Sequence, residues 1–187
     1  MMDAFKALYT TTDGRIGRKQ WWLGVLGLVV ASIALSIVMS LIGFSAWTGI
    51  PTIDPNNPDL AAISAATADA IRRGAWASLI MFLILAYPSY CIAVKRRHDR
   101  DNAGRDVLIF MGVNVLLLLL QALGLGVTMV DVGNGVAMPA PSMWMSALSI
   151  ILGIFGIYLL VVLGFLRGTI GSNSYGDDPV LGTAATA

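Results

Sequence analysis

The sequence predicts an all-α polytopic membrane protein, with four transmembrane helices in one bundle and both termini in the cytoplasm. Three observations predict it. The 187 residues are 57% apolar and only 12% charged; soluble domains sit at roughly 45–50% apolar and about 25% charged, so the surplus apolar surface is surface that faces lipid. Four stretches, 22–44, 76–94, 107–130 and 143–166, carry no charged side chain. A helix rises about 1.5 Å per residue and the hydrocarbon core is about 30 Å thick, so segments of this length span it. Finally, the cations are segregated. Lys6, Arg15, Arg18, Lys19, Lys95, Arg96, Arg97, Arg100, Arg105 and Arg167 fall on one side of the four spans, and only Arg72 and Arg73 on the other. The positive-inside rule places the richer side in the cytoplasm. All 187 residues are read as a single membrane domain.

The chain opens with Met1 to Tyr9, a short amphipathic helix with Phe5, Leu8 and Tyr9 on one side. Asp13-Gly14 is a turn signal. Arg15, Arg18 and Lys19 then precede Trp21 and Trp22, the order of cations and interfacial aromatics with which a membrane helix begins. The apolar run that follows is too long for a cleavable signal peptide. Within it Ser32, Ser36 and Ser40 recur every four residues and predict a face of small side chains for close helix approach.

An external loop covers 45–75, where Pro51, Pro55 and Pro58 with Asn56 and Asn57 exclude regular structure at first. Asn57-Pro58-Asp59 reads as an N-cap, a first-turn proline and a first-turn acid of a surface helix over 59–73, which Gly74 ends or bends into the second span. Pro88 predicts a kink there. The densest run of charge, 95–106, forms the cytoplasmic loop and holds the only histidine, His98. In the third span Asn114 and Gln121 share a face and are expected to hydrogen-bond to other helices. Residues 131–142 read as a short loop. In the fourth span Ser142, Ser146, Ser149, Gly153 and Gly156 form a heptad seam of small residues, suited to packing within the bundle or between subunits. The tail, 167–187, is irregular and cytoplasmic. All eleven acids are Asp, a residue of caps and turns rather than helix faces. The single cysteine, Cys91, excludes an internal disulfide and reads as a buried structural thiol.

Three cytoplasmic stretches carry motifs: Gly14-Arg15-Ile16-Gly17-Arg18-Lys19-Gln20-Trp21-Trp22, then Arg96-Arg97-His98-Asp99 followed by Gly104, and Gly168-Thr169-Ile170-Gly171-Ser172-Asn173-Ser174-Tyr175-Gly176-Asp177-Asp178-Pro179. Together they resemble the bacterial membrane family catalogued as domain of unknown function 805. The tail motif is the most specific of the three. The sequence departs from the family pattern near Gln20, where an acid is common, and at Arg105 and Asp106, where aromatic residues are common. The resemblance implies a multi-pass protein of the bacterial inner membrane and no established biochemical activity.

The motifs nominate a cytoplasmic cluster of Arg15, Arg18, Arg96, Arg97, His98, Asp99, Asn173, Tyr175 and Asp178. One reading is structural: Asp99 pairs with Arg15 or Arg18, His98 donates to a carbonyl, and Asn173 and Asp178 cap helix ends. A second is a small-molecule or anionic-lipid binding or transport protein using the Arg/His/Asp cluster, since guanidinium groups suit phosphates. A third, an enzyme or ion-coupled carrier, is disfavoured. His98 and Asp99 are neighbours in sequence, which is not a dyad geometry; His98, Asp99, Asp101 and Asp178 match no standard metal spacing; and no span carries a charged side chain for coupling. The expectation is therefore a non-enzymatic membrane component with no catalytic residue, no metal and no cofactor. Its expected partners are the bilayer, anionic lipid headgroups, and a second copy or another membrane protein. Nucleic acid is not expected, because acids interrupt the basic run.

Overall fold

The structure, a computed structural model, describes residues 2–44, 59–131, 133 and 137–180. The chain is mostly helical. In order it forms α1 (Met2–Thr10), α2 (Arg18–Leu41), α3 (Leu60–His98), α4 (Arg105–Ala122), the strands β1 (Val127–Asp131) and β2 (Ala137–Pro141), and α5 (Met143–Leu160), which continues into a π-helical turn over Val161–Phe165. Among the described residues four helices are long and apolar enough to cross a membrane: α2, α3, α4, and α5 with its π turn. Large apolar side chains such as Leu26, Val30, Ile33, Ile150, Ile154 and Ile157 are exposed along them. In water such surface would be a liability; in lipid it is the matching solvent.

Three boundaries differ from the sequence reading. Asp59 caps α3, its Oδ1 accepting the N–H of Ala62 at 3.0 Å, two residues into the helix; Asn57, read as the N-cap, lies outside the described residues. From there α3 runs through Gly74 and Pro88 as one element of 39 residues, fusing the predicted surface helix with the second span. A glycine costs a helix only about 1 kcal/mol, and buried Ala75 and Leu79 immediately beyond it offset that. The third difference corrects the all-α reading. α4 stops at Ala122 rather than Val130, because Gly124 and Gly126 take φ of +73° and +82°, values that leave a helix. A Cβ on Gly126 would sit 2.9 Å from the Trp144 ring. Beyond them Val127–Asp131 pairs antiparallel with Ala137–Pro141, so part of the predicted loop 131–142 is strand. The proline-rich stretch 45–58 and the tail beyond Val180 lie outside the described residues.

Two compact units make up the chain. The first comprises Met1–Ser32, Leu83–Val113 and Gly153–Ala187. Its core is Ile16, Trp21, Ile92, Val107, Leu159 and Leu163, with Leu8 and Tyr9 of α1 packed against it. Tyr9 lies over Gly24 and Gly27 of α2; its hydroxyl donates to the Gly24 carbonyl at 3.0 Å, and a Cβ on Gly27 would collide with that hydroxyl. Gly156 of α5 packs on Phe110 of α4. The second unit comprises Ile33–Phe82 and Asn114–Leu152, centred on Ala75, Leu79 and Ala122. Here Ser64 donates to the Ala137 carbonyl at 2.5 Å, tying α3 to β2. Gln121 lines two pockets of about 470 and 250 Å³, and its amide has no hydrogen-bond partner among the described residues, so it is not the inter-helix tie expected of it. The serines of α2 also differ: Ser32 and Ser36 return their hydroxyls to Val29 and Ile33 of their own helix, each at 2.8 Å, a local bond open to any helical serine.

Candidate functional site: a buried arginine–aspartate network

The apolar segment of α3 ends at Val94, and the four residues after it complete the helix. Cations at a helix C-terminus meet its partial negative charge. Asp99 follows as the first residue beyond, its N–H still donating to the Lys95 carbonyl at 3.1 Å. This places Asp99 between two guanidinium groups. Arg15, from the segment leading into α2, donates to Oδ1 through Nε at 3.2 Å and Nη2 at 3.0 Å. Arg96, one helical turn earlier, donates to Oδ2. The side chains of Arg15, Arg96 and Asp99 are 1%, 0% and 6% exposed.

Two buried cations on one anion leave a surplus positive charge, and main-chain carbonyls disperse it. Arg15 also donates to Gly171 at 2.7 Å, Gly176 at 3.1 Å and Thr169 at 2.8 Å. Arg96 donates to Leu163 at 2.8 Å and to Leu166. The last two carbonyls belong to the end of the π turn, where a helix leaves its acceptors unpaired and partially negative. Neighbouring carbonyls are covered the same way: Val162 by Arg100 at 3.4 Å, Gly164 by the Trp22 indole at 3.2 Å, Phe165 by Arg18 at 3.2 Å.

The tail closes over this core. Thr169 donates its N–H and its hydroxyl to the Asp99 carbonyl at 2.8 and 3.1 Å. Asn173 donates to the His98 carbonyl at 2.8 Å, capping the end of α3, and its Oδ1 accepts the Tyr175 N–H at 2.9 Å. Asp101, at φ +53°, accepts the Ser174 N–H at 3.2 Å. The Tyr175 ring stacks on His98 with centroids 3.8 Å apart and planes 8° from parallel. His98 Nδ1 lies 3.2 Å from the Gly14 carbonyl; a carbonyl only accepts, so Nδ1 carries the proton.

Arg15, Arg96, His98, Asp99, Asn173 and Tyr175 therefore meet. Three nominated residues do otherwise. Arg18 caps Phe165 and makes no bond to Asp99. Arg97 turns to Asp106 at 2.9 Å, at the start of α4. Asp178 accepts the N–H groups of Gly171 at 3.0 Å and Val180 at 2.9 Å, holding the tail's own loop. Beside the network lies a pocket of about 180 Å³ bordered by Arg18, Arg167, Gly168 and Asp178. The network also takes in Thr169, Arg100 and Gly168, which the nominated cluster lacks although Gly168 and Thr169 open the tail motif, and Asp101, which the sequence offers only in a metal set of no standard spacing.

Residues 9–177 match the family model described as Protein of unknown function (DUF805). The chain belongs to this family. The match contains every residue in direct contact with Asp99 and stops just short of Asp178. No curated protein and no solved structure matches the chain. What the DUF805 stretches build in this chain is a set of ties between chain segments far apart in sequence.

Burial is the largest influence on Arg96 and pushes it below its usual value, with Asp99 pulling it back up; a guanidinium stays charged through such a shift. Burial likewise holds His98 below the usual 6.5, against the Gly14 carbonyl and Asp13. A depressed folded-state pKa means that the unfolded chain takes up the proton more readily. The contribution of His98 is thus whole above about 6.5 and is lost as pH falls through the lower folded value. Amide exchange over 169–176 is expected to speed up, beyond its intrinsic pH dependence, between about pH 7.5 and about pH 5.5; His98→Gln removes that excess.

A Cβ on Gly168 would fall within the Asp99 carboxyl group and 2.8 Å from its main-chain oxygen. Gly168→Ala is expected to lower stability by about 1–3 kcal/mol, read as a lower Tm in detergent. Gly153→Ala, whose Cβ meets nothing within 4 Å, is the neutral or mildly stabilising control.

Proposed function

We propose that this chain is a multi-pass protein of a bacterial inner membrane, acting without catalysis through protein or lipid contacts at its cytoplasmic face. In this reading the four long helices form one bundle with both termini inside; the Asp99 network clamps the inner ends of α2, α3 and α5 together, and the Arg97–Asp106 pair adds α4. The family and the four apolar helices support the membrane assignment, and ten cations against two support the orientation. One observation carries the clamp: every acceptor of Asp99 is occupied, its carboxylate by Arg15 and Arg96 and its carbonyl by Thr169. Both oxygens of the Asp99 carboxylate are bonded to arginine, and the neighbouring His98 is stacked and bonded to main chain. Contacts with a second copy or another membrane protein belong to the same reading. The anionic-ligand alternative is favoured by a different feature, the pocket bordered by Arg18 and Arg167.

Asp99→Asn leaves two buried guanidinium groups without a counter-charge, and is expected to cost about 3–5 kcal/mol in thermal or denaturant unfolding. Arg72→Gln, which breaks exposed contacts to Asp69, is expected to cost no more than about 1 kcal/mol. Equal effects from the two would sink the clamp. Orientation is read by impermeant thiol labelling in a Cys91→Ser background. Thr128→Cys should label on intact cells and Ser174→Cys only after the membrane is opened; labelling of Ser174→Cys on intact cells reverses the topology.

A further inference from the structure

The pocket beside the network has its carboxylates bonded and several of its donors free. Of the carboxylates along its wall, Asp99 is bound by two arginines, and Asp178 receives the Gly171 and Val180 N–H groups, one on each oxygen. Thr169 gives both its N–H and its hydroxyl to Asp99. The donors stand differently. Arg18 uses one nitrogen, Nη1, on Phe165, out of five N–H groups in a planar fork. Arg167, exposed at the rim, has no hydrogen bond or ion pair among the described residues. The main-chain N–H groups of Gly168 and Ile170 have no protein acceptor among the described residues either.

A site that offers free donors and two guanidinium groups, with its carboxylates already bonded, selects a ligand that is anionic and made of acceptors. The volume of about 180 Å³ corresponds to roughly six waters at about 30 Å³ each, room for a phosphate and the first atoms of an ester. Two guanidinium forks suit the several oxygens of a phosphate better than the two of a carboxylate. Ile170 and Val180 in the pocket wall are apolar and exposed, as are Phe165 and Leu166 just before Arg167 in the chain and Trp22, one turn beyond Arg18 in α2. That combination of aromatic, apolar and cationic side chains is the composition of a membrane headgroup zone.

We infer that this pocket binds a phosphate group, in a lipid headgroup or a free phosphate ester, through the guanidinium groups of Arg18 and Arg167. This replaces the Arg15–Arg96–Asp99 core, whose guanidinium nitrogens are all bonded already, as the anion site of the protein. It deepens the ligand alternative above, and only its lipid arm rests on the proposed orientation.

The test uses the full-length protein with two probes. In one arm, the protein in phosphatidylcholine nanodiscs containing a minority of phosphatidylglycerol is assayed for retained phosphatidylglycerol by native mass spectrometry. In the other, delipidated protein in detergent is titrated with inorganic phosphate and glycerol 3-phosphate by phosphorus NMR. Arg167→Gln loses no bond to the described protein and should fold as the parent does; it is expected to weaken binding about tenfold, the value of one charge-assisted contact. Arg167→Lys, which keeps the charge but not the fork, should fall between. Arg18→Gln combined with Arg167→Gln should abolish binding, and an unchanged Arg15–Asp99 network is checked by Tm. Retention of phosphatidylglycerol lost in the variants identifies a lipid ligand. Binding of the free phosphates alone identifies a soluble one. No binding of either probe, or binding equal in parent and Arg167→Gln, overturns the site. Because the detergent titration is independent of sidedness, a reversed topology leaves it standing, and its failure leaves the clamp untouched.

Discussion

Asp99, held between Arg15 and Arg96, is the contact on which the first unit depends. Neither arginine is tolerable where it lies without a counter-charge, since a buried guanidinium must be paired and its remaining donors filled. The carboxylate satisfies part of that demand and carbonyls satisfy the rest. Those carbonyls come from the π turn and the tail, so meeting the needs of two side chains fixes the positions of four chain segments. Gly168 follows from the same constraint: the tail passes so close to the carboxyl group that no side chain fits there.

The π turn fits this picture in a second way. The last carbonyls of any helix lack partners, and near a membrane they have little water to turn to. From Val162 to Leu166 they are met instead by Arg100, Arg96, Trp22 and Arg18. Residues that the positive-inside rule reads as topology signals thereby also cap a helix. Arg18 does so with a single nitrogen, and Arg167, on the same pocket, is not drawn in. The division of labour among the arginines separates a closed core from the open pocket beside it.

Much of the fold was legible because it rests on local quantities. Uncharged runs announce the four long helices, and Trp21 and Trp22 after Arg18 and Lys19 announce the start of α2. The β-hairpin was missed because Val127 to Val130 is as apolar as a span; the pair Gly124 and Gly126 was the available signal. Gln121 was assigned to helix pairing on its seven-residue spacing from Asn114, whereas small neighbours such as Gly74, Ala75 and Gly126 leave open space around it. For the site, the motifs nominated the correct stretches but not the partners within them. Arg15 and Asp99 are 84 residues apart, and no spacing rule distinguishes Arg15 from Arg18, or Arg96 from Arg97, at such separation.

By itself the sequence determined where the apolar helices run, which flanks carry the cations, and which three stretches hold the motifs, because hydropathy and charge are properties of residues in a row. Only the tertiary structure decided that Arg15 and Arg96 share Asp99 while Arg97 turns to Asp106. It alone showed that Asn173 caps α3 while Asp178 holds its own loop, and that Arg18 and Arg167 border a pocket with donors to spare. Pairing depends on which carbonyls and carboxylates lie within about 3 Å of a buried donor, and that is set by how distant segments come together.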